Sequence, residues 1–275
     1  MSPKRRRISQ AQQRRQRERF KGLLYIGITV TAVFVFATVY YMVKSEQRVL
    51  DPETLCSDKP TSLTVLLVDV TDPMNTPQRQ DFINQLTRLK NSISRYGELA
   101  IMRVDQSGDQ LLSPVITRCS PGTASDTDEK QGNPQKLQRQ WETGFSAPLD
   151  QAFLEISRAS GADKSPIMES VQAAALTELQ KPGRDGITKR LIIASDLLQN
   201  TDDISFYGAL PAAQNFTNSE VFQRVRTDLR GVEVELWQLK RPDSSKTQPR
   251  ALSKLWESAI AAQGGEVVRI YDVSG

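Results

Sequence analysis

Residues 22–43 run for 22 positions without one charged side chain, from Gly22 through Tyr40, Tyr41, Met42 and Val43. At about 1.5 Å of helical rise per residue the run reaches roughly 33 Å, enough to cross a bilayer core of about 30 Å. It offers no polar face to solvent, as a helix packed on a soluble core would. Tyr25, Tyr40 and Tyr41 stand near its two ends, where amphipathic rings favour the membrane interface. The apolar part of a cleaved signal peptide is about 7–15 residues long and ends in small residues. This run is longer and ends in Tyr-Tyr-Met-Val, so it reads as a retained transmembrane helix.

Charge gives the orientation. Residues 1–21 carry nine cations (Lys4, Arg5, Arg6, Arg7, Arg14, Arg15, Arg17, Arg19 and Lys21) against one acid, Glu18. On the far side only Lys44 and Arg48 lie close by. The excess of Lys and Arg marks the cytoplasmic side, so the expectation is an inner-membrane protein with its amino terminus in the cytoplasm. Everything after residue 44 is then periplasmic or extracellular.

The same tail sets the net charge. The chain is +4 in all, and the tail alone is +8, so the remaining residues carry −4. A nucleic-acid-binding domain shows a basic face, and outside the tail nothing suggests one, so no nucleic-acid partner is expected. The chain has no His, which removes Ser-His-Asp and Cys-His catalysis. Its two cysteines, Cys56 and Cys119, would both meet an oxidising compartment, and a disulfide between them is expected. Two buried free thiols are the alternative. The bond would close a 63-residue separation, worth about 4 kcal/mol in the chain-entropy picture.

Composition and pattern divide the chain into a basic tail (1–21), the transmembrane helix (22–43), a polar linker (44–60) and one domain (61–275). Strands are expected at 63–69, 98–105, 111–119, 190–195, 232–239 and 267–271. Helices are expected from Thr76 to Gly97, over 135–158 with a break near Pro148, and over 166–179, 219–229 and 249–263. Thr76 is the expected N-cap of the first, with Pro77 at its first position. Gln106-Ser-Gly-Asp109 reads as a hairpin-like turn, residues 120–134 as loop, and residues 197–216 as a long irregular loop. Strands alternating with helices give an α/β fold with a doubly wound, mostly parallel sheet and one antiparallel edge.

In such a sheet the loops at the carboxyl ends of strands converge on one crevice. Two apolar runs end there in acids: Leu66-Leu67-Val68-Asp69 and Leu191-Ile192-Ile193-Ala194-Ser195-Asp196. Thr71 follows the first, and Ser165-Pro166 opens a helix between the two. Asp69, Thr71, Ser165 and Asp196 are hard oxygen ligands on separate loops, the chemistry that suits Mg²⁺ or Mn²⁺. Asp72 is a further candidate beside them. A lone desolvated carboxylate is costly, and Asp69 would be served by a divalent ion, by a helix N-terminus or by backbone N–H groups.

The ordered set resembles a von Willebrand factor A-type domain over residues 61–273. That family's metal-ion-dependent adhesion site combines Asp-x-Ser-x-Ser after the first strand, a Thr in a later loop and an Asp after the fourth strand. Asp69-Val70-Thr71-Asp72-Pro73 matches two of the first three positions, Ser165 stands for the Thr, and Ser195-Asp196 for the last element. The third ligand position is Pro73, which has no side-chain oxygen, and Asp72 or Asn75 would have to compensate.

The resemblance implies a non-enzymatic, membrane-tethered interaction module that binds a protein partner in the cell envelope, with a divalent ion in the contact. A non-adhesive structural subunit of an envelope complex, with a degenerate metal site, is the alternative. A metal-dependent hydrolase using Asp69, Asp72 and Asp196 is the enzymatic reading, but no nucleophile or base accompanies them. A phosphatase of the haloacid-dehalogenase type would need a second Asp where Thr71 stands.

Overall fold

The computed structural model describes residues 10–45, 48–69, 71, 73–104, 113–127, 132–157, 163–241 and 248–274. The chain divides into two compact units, Met1–Val49 and Leu50–Gly275. In the first, α1 (Gln10–Ser45) is a single helix. Its segment Glu18–Met42 is long and apolar enough to cross a membrane. Three threonines in it satisfy themselves locally. Thr29, Thr31 and Thr38 donate to the carbonyls of Tyr25, Gly27 and Phe34 at 2.9, 2.9 and 2.7 Å. No hydroxyl proton of these three is left seeking water, as a lipid environment demands.

The second unit is an α/β domain on a six-stranded sheet. Its strands are β1 (Ser62–Val68), β2 (Glu98–Arg103), β3 (Ile116–Cys119), β4 (Thr188–Ser195), β5 (Val232–Leu239) and β6 (Glu266–Val273), in the spatial order β3-β2-β1-β4-β5-β6. All neighbours are parallel except β2 and β3. The central strands are apolar throughout because both faces are covered, as parallel sheets require. Successive side chains alternate between faces. Leu63, Val65 and Leu67 point into one core layer with Ile167, Val171 and Trp256, whereas Leu66 and Val68 point into the other with Phe82, Leu86 and Phe153.

The helices are α2 (Thr76–Ser92), α3 (Pro134–Gln140), α4 (Ala147–Ile156), α5 (Ile167–Ala174), α6 (Ala213–Thr217), α7 (Glu220–Val225) and α8 (Arg250–Ala261). A π-type segment, Trp141–Ser146, joins α3 to α4 without interruption, so the expected break near Pro148 is a widened turn. Pro at the start of α4 needs no N–H partner, which a wider ring accommodates. A second π-type segment, Ala175–Leu179, extends α5.

Several boundaries differ from expectation for identifiable reasons. The N-cap of α2 is Asn75 rather than Thr76, its side chain accepting from Gln78 N at 2.8 Å. Strand β4 begins at Thr188, two residues before the expected Arg190, because Thr188 and Lys189 already pair with Ser62 and Leu63. Residues 213–216, expected as loop, form α6 together with Thr217. The reason is an aromatic chain in which Phe216 lies edge-on to both Phe206 and Phe222. Helix α7 ends at Val225, short of the expected 229. The expected turn at 106–109, and residues 111–112 of the third strand, lie outside the described residues.

The second half of the expected linker is fastened to the domain. Leu55 is buried, Cys119 N donates to Thr54 O at 2.9 Å, and Cys56 is disulfide-bonded to Cys119 at the end of β3. Leu55 also takes a positive φ of 60°, a conformation that a bulky residue holds only where packing over-determines it. The packing is against Gly144, where a Cβ would stand 2.7 Å from Leu55 Cδ1.

Candidate functional site

Strands β1, β4 and β5 end side by side, with Val68 opposite Ala194 and Ser195 opposite Gln238. The residues that follow them therefore meet at one edge of the sheet, the place where open α/β sheets hold ligands. Asp69 is the centre. It is 4% exposed, and its carboxylate accepts four hydrogen bonds. Oδ1 accepts from Thr71 N at 3.1 Å and Thr71 Oγ1 at 2.7 Å, and Oδ2 accepts from Ser165 Oγ at 2.8 Å and Ser195 Oγ at 2.9 Å. The charge is thus spread over one amide and three hydroxyls, which answers the desolvation cost of the buried acid.

Ser165 reaches Asp69 because it does not cap the helix it precedes. Gln199, fully buried, caps α5 instead: its Oε1 accepts from Met168 N at 2.9 Å and its Nε2 donates to Glu169 Oε2 at 2.7 Å. Ser165 and Asn200 also exchange backbone hydrogen bonds, both at 2.9 Å. The loop after β4 and the loop before α5 are consequently one ordered unit.

Asp196 faces a different partner. Its Oδ1 accepts from Leu198 N at 2.9 Å, and its Oδ2 receives both Nε and Nη2 of Arg241, each at 2.5 Å. Burial pushes its carboxyl up to about 6, outweighing the nearby Arg241 guanidinium, and Asp69 adds to the rise. Arg241 follows β5. Its Nη2 also donates to Tyr207 Oη at 2.7 Å, and its guanidinium lies 5.3 Å from the centre of the Tyr207 ring. Behind the pair, Gln248 accepts from Arg241 N at 2.9 Å and donates to Asp196 O and Leu239 O at 2.9 and 2.8 Å. Leu197, next to Asp196, has φ of +65° and is wholly buried. This left-handed conformation costs a non-Gly residue about 1–2 kcal/mol. Its N–H donates to Ser195 Oγ at 2.9 Å, and its carbonyl accepts from Trp256 Nε1 at 2.9 Å.

Beside this junction is a cavity of about 250 Å³ lined by Asp69, Thr71, Pro73, Met74, Gln78, Asp196, Leu239, Lys240 and Arg241. Gln78 closes its floor, donating to Lys240 O at 2.8 Å and Val273 O at 3.1 Å. Of the expected ligands, the fold brings Asp69, Thr71 and Ser165 into direct contact. Asp196 joins them through Ser195 and Leu197, and Asp72 lies outside the described residues. Asn75 is spent on the α2 cap.

The set as arranged does not fit a divalent ion. Every oxygen of Asp69 and Asp196 already accepts a hydrogen bond, position 73 offers no oxygen, and a guanidinium sits on Asp196. Ser195, Arg241, Tyr207, Gln199 and Gln248 complete the junction and were not among the expected site residues. A positional signal for Arg241 was present: it stands two residues past the expected strand 232–239. Among the described residues, the one grouping of three metal-type ligands is Cys56, Glu98 and Cys119, and there the two sulfurs are bonded to each other.

No known family's sequence profile matches the chain, and no curated protein matches it. Solved structures are similar to it at low identity. An aerotolerance-related membrane protein from Bacteroides fragilis, with multiple mutations to serines, is 10% identical with a TM-score of 0.37, over 78% of this chain and 92% of that one. The conserved hypothetical protein BatB from Bacteroides thetaiotaomicron is 11% identical with a TM-score of 0.37, over 77% and 91%. Proximal thread matrix protein 1 of the mussel byssus is 11% identical with a TM-score of 0.39, over 83% of this chain and 44% of that one.

Proposed function

We propose that this chain is a single-pass, membrane-anchored binding module. Helix α1 holds it in the inner membrane with the basic tail in the cytoplasm. A von Willebrand factor A-like domain is presented on the other side and takes a protein partner in the crevice at the carboxyl ends of β1, β4 and β5. One observation carries this reading: a buried polar network, centred on Asp69, fixes four loops around an open cavity of about 250 Å³. Rigid loops on a sheet scaffold are where binding residues concentrate. The chemistry at hand is recognition rather than turnover. Ser195 is wholly buried, and Asp69 is held by four donors.

The second reading is a structural subunit of an envelope complex that assembles through α1, whose apolar side chains from Phe20 to Met42 are exposed. Affinity purification of the full chain from solubilised membranes separates the two. Pro73 is exposed at the cavity mouth. Pro73→Arg should abolish a co-purifying partner while leaving the melting temperature unchanged. Retention of that partner by Pro73→Arg, together with its loss when α1 is exchanged for an unrelated transmembrane helix, would favour the structural subunit.

A further inference from the structure

Two buried carboxylates meet at the strand ends, and the cation placed against them is part of the chain. We propose that Arg241 is a resident cation that takes the place of a divalent ion at the Asp69–Asp196 junction, so that the site is built and held without metal.

The charge balance is the first reason. Asp69 and Asp196 are 4% and 5% exposed, and a desolvated carboxylate needs either positive charge or a full set of donors. Asp69 has the donors, three hydroxyls and an amide. Asp196 has one backbone N–H and a long 3.5 Å contact from Ser195 Oγ, whose hydroxyl is closer to Asp69, and otherwise depends on Arg241. A guanidinium stays charged at any pH a protein meets.

The mounting of Arg241 is the second. A surface arginine that happens to reach an acid is held at one end. Arg241 is held at both: its backbone N–H by Gln248, and its guanidinium by Asp196 and by the edge and face of Tyr207. Gln248 also grips the Asp196 carbonyl, so acid and base are fixed to the same side chain. Arg241 and Asp196 are 45 residues apart in sequence, and this buried glutamine gives them one frame.

The ligand count is the third. A small hard cation takes six or more oxygens at close range, several of which can be water, but the protein must supply the ones that anchor it. Pro73 supplies none, and the Asn75 oxygen caps α2. Asp196 Oδ2 cannot serve a guanidinium and a divalent ion at once, because the two cations would be in contact in a low-dielectric pocket. Arg241 does its work whether or not a partner docks in the crevice.

The test is thermal unfolding of the full-length chain in detergent, in EDTA and in millimolar Mg²⁺ or Mn²⁺, with Mn²⁺ binding read independently by electron paramagnetic resonance. The wild type should melt at the same temperature in all three and bind no Mn²⁺. Arg241→Met, which vacates the place and leaves the acids, should melt lower in EDTA, bind Mn²⁺, and regain about 3–6 °C on adding either ion. Arg241→Lys keeps a charge there and should show no ion response, which keeps the proposal exposed if Arg241→Met fails to fold. A divalent-dependent rise or Mn²⁺ signal in the wild type or in Arg241→Lys would overturn the proposal. So would a folded Arg241→Met that binds no ion.

Discussion

The Ser195 hydroxyl, the last side chain of β4, donates to Asp69 Oδ2 at 2.9 Å and so ties together the ends of the two central strands, 126 residues apart in sequence. The same oxygen accepts from Leu197 N, which holds the strained residue beside Asp196. One hydroxyl thus serves both halves of the site.

Ser195→Ala should therefore cost more than the loss of one ordinary hydrogen bond. It removes a donor from a buried carboxylate and an acceptor from a buried amide. The expected loss is about 2–4 kcal/mol, each unpaired buried group costing about 1–3. Urea unfolding checks this. A loss below about 0.5 kcal/mol would mean that the Ser195 contacts contribute little.

The pair Lys90 and Asp150 should respond asymmetrically. Lys90 is 5% exposed and reaches Asp150 Oδ1 at 2.5 Å and Ser146 Oγ at 2.7 Å, whereas Asp150 is 49% exposed. Asp150→Ala strands a buried ammonium and should cost about 2–4 kcal/mol. Lys90→Met leaves an acid that water can reach and should cost about 1 kcal/mol or less. Chemical denaturation of both variants decides, and equal losses would contradict the burial argument.

Asp196 gives the stability a pH dependence of definite sign. Its carboxyl is raised from 3.8 to about 6, chiefly by burial. Between those values the folded state holds the proton more tightly than the unfolded state, so this group's contribution falls as pH rises through the window. The change is at most about 3 kcal/mol. Asp196→Asn removes it. The stability of wild type relative to Asp196→Asn should drop between pH 4 and 7 (about the span of the two values). A constant gap, or one that widens in favour of wild type, would contradict this.

The bond between Cys56 and Cys119 fastens residues 50–56 to β3. Replacing both cysteines with Ala should lower stability by about 4 kcal/mol. Alkylation of the unfolded, unreduced protein followed by intact-mass measurement should find neither thiol labelled.

How much of this was legible beforehand follows from where the signal lies. The central strands show in sequence because burial on both faces forbids charge, and Leu63–Val68 and Leu191–Ala194 are charge-free for that reason; α1 shows because residues 22–43 carry no charge. Asp69 and Thr71 were legible because they stand just past such a run, and Ser165 because it precedes the Pro166 that opens α5. The start of β4 was not, since Thr188 and Lys189 are strand residues at a polar end. Helix α6 was not, since its place depends on Phe206 and Phe222 outside it. Arg241 lies outside the expected set because that set holds oxygen ligands only. Its position past strand 232–239 does not by itself show a contact with Asp196, which depends on Gln248 at the far end of the same connection and on Tyr207 from the loop after β4.

The central claim is that the crevice at the strand ends is where this membrane-anchored domain meets its partner. Photo-crosslinking in intact membranes tests it most directly, with a reactive residue placed in the full chain at Pro73, at Tyr207, or at Arg230 before the start of β5. Pro73 and Tyr207 flank the site, and Arg230 is an exposed position at the opposite ends of the strands. One discrete adduct of the same mass from Pro73 and Tyr207, absent from Arg230, is the predicted result. No adduct at either crevice position, or the same adduct from Arg230, would contradict it.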